Sequence, residues 1–269
     1  MTIKIASWNV NSVNMRLSQL EKWLVDASPD IVLLQELKCV TEKFPYQQLE
    51  HLGYNIAVNG QKSYNGVAIL SKYKLEDISF DLTEDPDNSH ARYIEAYISL
   101  PSNKVIRIAS VYVPNGQAVG SDKFTYKLKF FDALNLHLKK LLEYDEITVI
   151  GGDFNVAPEE IDVYDPVASE GAVCFNIEER AKFRRLLNLG YNDAFRLINP
   201  QEKQFSWWDY RAGAWQKDIG LRIDHMLISP ETSDLLSKSY IEKHMRDNNV
   251  NEKPSDHAPI VIELNLSKN

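Results

Sequence analysis

Short alternating or β-branched runs recur along almost the whole chain, and nothing else in it restricts the fold as strongly. They read as strands at Ile3–Trp8, Asp30–Gln35, Tyr54–Val58, Gly66–Ser71, Arg92–Leu100, Val105–Val113, Glu146–Ile150, Arg222–Ile228, Lys238–Lys243 and Pro259–Leu264. Helical spacing is confined to three stretches. Val13–Val25 carries Met15, Leu17, Leu20 and Leu24 near one face; Lys123–Leu142 carries Phe130, Leu134, Leu138 and Leu141; Glu178–Leu189 carries Phe183, Leu186 and Leu187. Many strands and few long helices predict an α/β chain of packed sheets with helices outside. No Gly/Ser linker, low-complexity tract or internal period interrupts the sequence, so a single domain over residues 1–269 is expected.

Composition narrows the classes. With 44% hydrophobic and 25% charged residues, a mainly disordered chain is excluded. Unbroken apolar runs reach four residues, as in IVLL, far short of a membrane-spanning helix, and no secretory signal is visible. Cys39 and Cys174 are isolated, which excludes a disulfide framework or a cysteine-rich zinc site and fits the reducing cytoplasm. The formal charge of −8, taken alone, argues against a polyanionic partner. Salt screens charge over about 8 Å, however, while a chain this long has a radius of gyration of roughly 18 Å. A phosphate therefore feels the local surface, and net charge decides little.

Several strands end in polar residues that a core does not want. Trp8 is followed by Asn9, Gln35 by Glu36, Val113 by Pro114 and Asn115, and Ile150 by Gly151-Gly152-Asp153. Singly, each is ordinary turn chemistry. Together they suggest a site built from strand-end loops, where rigid strands aim the side chains. Asn11 or Ser12 is also expected to cap the helix near Val13. In GGDFN the glycines allow close backbone approach, and Asp153 and Asn155 point the same way if the chain stays extended. Arg222-Ile223-Asp224-His225 and Ser255-Asp256-His257 add carboxylates and imidazoles, with Asp224 a candidate to hold His257. Glu, Asp and Asn oxygens with one histidine, Tyr112 and no thiolate favour Mg²⁺ or Mn²⁺ over zinc or copper, and so metal-assisted attack on a phosphate ester.

The ordered set WNVN, LQELK, NGVAIL, YVPNG, GGDFN, FSWWDYR, GLRIDHML and SDHAP resembles the exonuclease III family of abasic-site endonucleases, within the endonuclease/exonuclease/phosphatase superfamily. The resemblance runs from Lys4 to about Leu264, and the WWDYR and GLRID strings set it apart from the lipid and inositol phosphatases of the superfamily. It implies a four-layer αββα sandwich with two mixed central sheets (DNase I-like). It also implies a Mg²⁺-dependent phosphodiesterase, with Mn²⁺ able to substitute, that cuts duplex DNA 5′ to abasic sites or trims damaged or recessed 3′ ends. A monomer is expected, and no membrane partner.

Carried over position by position, Asn9, Glu36 and Asp256 resemble the metal shell, with Asn11 where some relatives carry Asp. Asp153 resembles the group that orients or deprotonates the attacking water, and Asn155 the amide at a phosphate oxygen. His257 resembles the imidazole at the scissile phosphate, and Asp224 the carboxylate that orients it. Tyr112 and Asn115 resemble further phosphate-contacting or leaving-group-side residues; Tyr112 or a water on the cation protonates the leaving oxygen. Trp207, Leu221 and Ile223 resemble an apolar pocket for a flipped, base-free sugar. Of the adjacent tryptophans, placed on a strand, one is expected to face the site and Trp208 the core. Lys38, Lys62, Lys72, Arg92, Lys123, Lys127 and Arg211 are candidates to meet the DNA backbone, although most surface cations only keep a protein soluble.

Overall fold

Two mixed six-stranded sheets pack face to face in the computed structural model, which describes residues 1–87, 89–248 and 253–267. In chain order the strands are β1 (Thr2–Asn9), β2 (Ile31–Gln35), β3 (Asn55–Asn59), β4 (Val67–Ser71), β5 (Leu75–Ser79) and β6 (Tyr93–Ser99). They continue with β7 (Val105–Tyr112), β8 (Ile147–Asp153), β9 (Asn192–Asp193), β10 (Asp224–Ile228), β11 (Leu236–Ile241) and β12 (Ile260–Asn265). One sheet has the order β11-β12-β1-β2-β4-β3 and the other β5-β6-β7-β8-β10-β9. In each, a central pair is parallel, β1 with β2 and β7 with β8, and its neighbours are antiparallel. The helices are α1 (Leu17–Asp26), α2 (Tyr46–Glu50), α3 (Asp122–Leu141), α4 (Pro166–Ser169), α5 (Ile177–Leu189), α6 (Ala194–Ile198) and α7 (Pro230–Ser233).

Strand alternation explains the layering, since successive side chains point to opposite faces. Ile5, Leu33, Ile108, Val149 and Ile262 fill the space between the sheets. Trp8, Val32 and Leu34 face outward onto Leu20, Trp23 and Leu24 of α1. On the opposite side Ala109 and Ile150 pack under Phe130, Leu134 and Leu138 of α3 and Phe183 and Leu186 of α5. The result is the expected αββα sandwich. At the centre of the second sheet, a Cβ on Gly152 would lie 1.9 Å from the Val111 carbonyl oxygen, so only glycine lets β8 run there.

Several local expectations change. β5 escapes the sequence reading because LEDIS is a half-exposed edge strand with a bulge between Glu76 and Ser79, and β9 is two residues long. Asn11 and Ser12 cap no helix: both have left-handed backbones (φ 45° and 91°), and α1 starts at Leu17 without a side-chain cap. The other two long helices have side-chain caps, α3 from Ser121 and α5 from an Asn176–Glu179 capping box. The two tryptophans lie in an irregular segment rather than a strand, with Trp207 bridged to Leu221 and His257. Trp208 is fully buried, as expected.

Candidate active site

The C-terminal ends of the two parallel pairs meet at one end of the seam between the sheets. Gln35 crosses it to Ser110 (Nε2 to Oγ, 2.9 Å), Tyr112 Oη donates to Glu36 Oε1 (3.0 Å), and Asn9 Nδ2 donates to both Glu36 Oε1 and Asp153 Oδ2 (2.9 Å each). The antiparallel neighbours deliver the rest. Asp224 opens β10 opposite Asp153, and the loop before β12 brings Asp256 and His257 past the end of β1, where Ser255 Oγ donates to the Asn9 carbonyl (2.7 Å). Chain direction thus gathers residues from 9 to 257 into one place.

Above these ends lies a cleft of roughly 530 Å³. Its lining includes Glu36, Tyr112, Asn115, Asp153 and Asn155 together with Trp207, Leu221, Ile223, Asp256 and His257. Asn9 and Asp224 stand buried behind the wall. Gln117, Val173, Cys174 and Arg211 also line the cleft, and sequence reasoning assigned no pocket role to them. Arg211 was signalled by FSWWDYR, though only as a DNA-backbone contact, and Gln117 by its place just after YVPNG; Val173 and Cys174 carry no signal.

Hydrogen bonds constrain what each group can do. His257 Nδ1 faces Asp224 Oδ2 at 2.8 Å, while its Nε2 lies 3.7 Å from Asp153 Oδ2. Burial works against the imidazolium, but the Asp224 and Asp153 charges outweigh it and raise His257 to about 10. Burial pushes the Asp153 carboxyl well up; the His257 charge pulls it partly back, and Asp224 and Glu36 push it further. Glu36 moves the other way: burial would raise it, yet the Lys38 ammonium at 2.8 Å and the Asn9 amide hold it below its ordinary value. Burial, then the Glu36 and Asp153 charges, keep Tyr112 protonated.

Asn155 is not extended beside Asp153. Its backbone is left-handed (φ 50°), its N–H donates to Asp153 Oδ1 (2.9 Å), and its Nδ2 donates to Asp153 Oδ2 (3.2 Å) and the Val113 carbonyl (3.0 Å). The amide expected at a phosphate oxygen therefore braces Asp153 in the resting protein. Asn115 Nδ2 in turn donates to Asn155 Oδ1 (2.9 Å).

Glu36, Asp153 and His257 form the only group of three or more potential ligands converging within 4.8 Å among the described residues. Asp256 stands outside it, because its oxygens accept from Asn11 Nδ2 (2.9 Å) and Trp207 Nε1 (3.0 Å). A charged imidazole offers a cation no lone pair, so within this group Glu36 and Asp153 are the side chains that could face one. Two hard carboxylates open to a cleft fit a hard divalent ion that keeps waters and a phosphate as its other ligands.

The expected cations divide. Lys38 pairs with Glu36, Arg211 lines the cleft, and Arg92 and Lys123 line the adjoining cavity. Lys62 is exposed in the β3–β4 loop. Lys72 cannot serve: it bonds Ser28 and Asp30 at the other end of β2 from Glu36. Lys127 is fully buried.

The chain belongs to the endonuclease/exonuclease/phosphatase family, whose pattern it matches over residues 6–257. It is 34% identical over 272 residues to the exodeoxyribonuclease III of Haemophilus influenzae, a match covering 97% of this chain and 100% of that protein. It resembles a Neisseria 3′ phosphatase solved with a product DNA hairpin (39% identity, TM-score 0.92, 98% of this chain and 99% of that one). It also resembles an AP endonuclease from Archaeoglobus fulgidus (36% identity, TM-score 0.89, 97% and 98%).

Proposed function

We propose that the protein is a DNA-repair phosphodiesterase of the exonuclease III type. It hydrolyses the backbone 5′ to abasic sites and/or removes nucleotides and blocking groups from 3′ ends of duplex DNA. The observation that carries the reading is the convergence of Glu36, Asp153 and the Asp224-backed His257 on one cleft, beside an apolar wall of Trp207, Leu221 and Ile223. Mg²⁺, with Mn²⁺ as substitute, is the cofactor of this reading: Glu36 would hold it, with Asn9 and Asp256 as the further expected ligands, and it would neutralise charge developing on the phosphate.

The residues divide the remaining work. Asp153 orients the attacking water and accepts its proton, braced by Asn9 and Asn155. His257, held charged by Asp224, presents Nε2–H to a non-bridging oxygen. Tyr112 keeps its hydroxyl proton for the leaving-group side, and Asn115 lies beside it for a phosphate oxygen. Trp207, Leu221 and Ile223 admit deoxyribose and exclude a nucleobase, and unstacking is cheapest where the base is already missing. The same reading makes the protein a cytoplasmic monomer. Rates measured side by side on abasic, 3′-phosphate and undamaged recessed duplexes test it; turnover of a soluble inositol phosphate with no DNA cleavage would overturn it.

A further inference from the structure

Lys127 belongs to α3, away from solvent, and its ammonium has three hydrogens to place. All three have partners: the Asn155 carbonyl (2.6 Å), the Asn115 carbonyl (3.1 Å) and Glu179 Oε2. Both carbonyls belong to residues lining the cleft, one after β7 and one after β8. Glu179 is equally closed to solvent, and its other oxygen accepts from the Asn176 N–H (2.9 Å) in the capping box that starts α5. One buried cation thus ties two catalytic-side loops to two outer helices.

We propose that Lys127, neutralised by Glu179, is a positioning residue for the reaction: it fixes the Asn115 and Asn155 backbones, and through Asn155 the Asp153 carboxylate. A buried ion pair is weak evidence for stability, because desolvation of both charges offsets their attraction and an apolar pair of similar volume is often as stable. The carbonyl contacts supply a reason of another kind. Asn155 keeps its left-handed backbone while Asp153 takes two of its hydrogen bonds, so the angle of the Asn155 peptide sets where Asp153 sits. Displacements of about 1 Å at such distances cost up to about 100-fold in rate.

The kinetic side of this rests on the phosphodiesterase reading; the geometric side does not. The test compares wild type, Lys127→Met/Glu179→Gln, and a control, Lys182→Met, which breaks an ion pair to Asp132 between the same two helices away from the cleft. Gln retains the capping box. In the double variant kcat on duplex DNA should fall about 10- to 100-fold with KM changed less than about 3-fold. The side-chain amide NMR signals of Asn115 and Asn155 should move, and the control should leave both readouts alone. If the double variant does not fold, Lys127→Gln, too short to reach both carbonyls, is measured against the same criteria. Wild-type kcat with unmoved amide signals would overturn the proposal. Wild type inactive on DNA would overturn the functional reading instead, and the amide signals would still decide the positioning.

Discussion

Asp224 Oδ2 lies 2.8 Å from Nδ1 of His257, and both side chains are closed to solvent. Burial alone would discharge the imidazole; the flanking carboxylates reverse that and raise it to about 10, against about 6.5 for an unfolded histidine. A raised folded value means a stability contribution fully present below about pH 6.5 and lost as pH rises through about 10. In the metal-free protein, NMR titration should find His257 charged through neutral pH. Asp224→Asn should bring its titration down, because burial remains and the principal counter-charge is gone. The same variant should lower kcat by about 100-fold or more.

Trp207 walls the cleft beside Leu221 and is pinned by its Nε1 to Asp256. Trp207→Ala should reduce cleavage at an abasic site more than removal of a 3′-phosphate, since only the former needs a flipped sugar seated against the ring. Paired single-turnover rates check this, and equal losses would discount the pocket.

Packed sheets with helices outside were legible in the short alternating or β-branched runs that became β1, β2, β7 and β8; the four-layer αββα order was implied by the family resemblance alone. The polar residues at their ends were legible for the same reason, standing where an apolar run stops. What stayed hidden is non-local. Glu36, Asn155 and Cys174 all have left-handed backbones that no local pattern announces, and at Asn155 that turn lets the side-chain amide reach back to Asp153. Lys127 reads as a surface cation because its type is usually exposed; only the fold reveals that two carbonyls and a carboxylate enclose it. Lys72 shows the reverse limit, since strand polarity decides which end of a sheet a loop occupies.

Gly152 is a steric requirement rather than a turn. Gly152→Ala should strongly destabilise or prevent folding, because the new methyl meets rigid backbone at Val111. Gly120→Ala, with open space but φ +81°, should cost only about 1 kcal/mol. Chemical denaturation of the two variants checks the contrast.

Arg222 is buried between Asp162 and Asp193, 2.7 Å from each. Burial would raise the Asp193 carboxyl, but the Arg222 guanidinium beside it holds it well below the ordinary range. A depressed value gives stability that is present above about pH 4 and lost as pH falls toward the folded value. Asp193→Asn should therefore be less stable at pH 7, by about 3 kcal/mol, and should lose less of its stability between pH 5 and pH 2 than wild type. Urea midpoints across that range supply the comparison.

Cleavage of a duplex bearing one abasic site, followed with Mg²⁺, with EDTA, and with Glu36→Ala, tests most directly the claim that strand-end carboxylates from both sheets make one metal-dependent site. A 3′-hydroxyl product is expected to form only with the divalent ion, and the rate in Glu36→Ala to fall by orders of magnitude at unchanged fold. Full activity in EDTA, or a wild-type rate in Glu36→Ala, would contradict it.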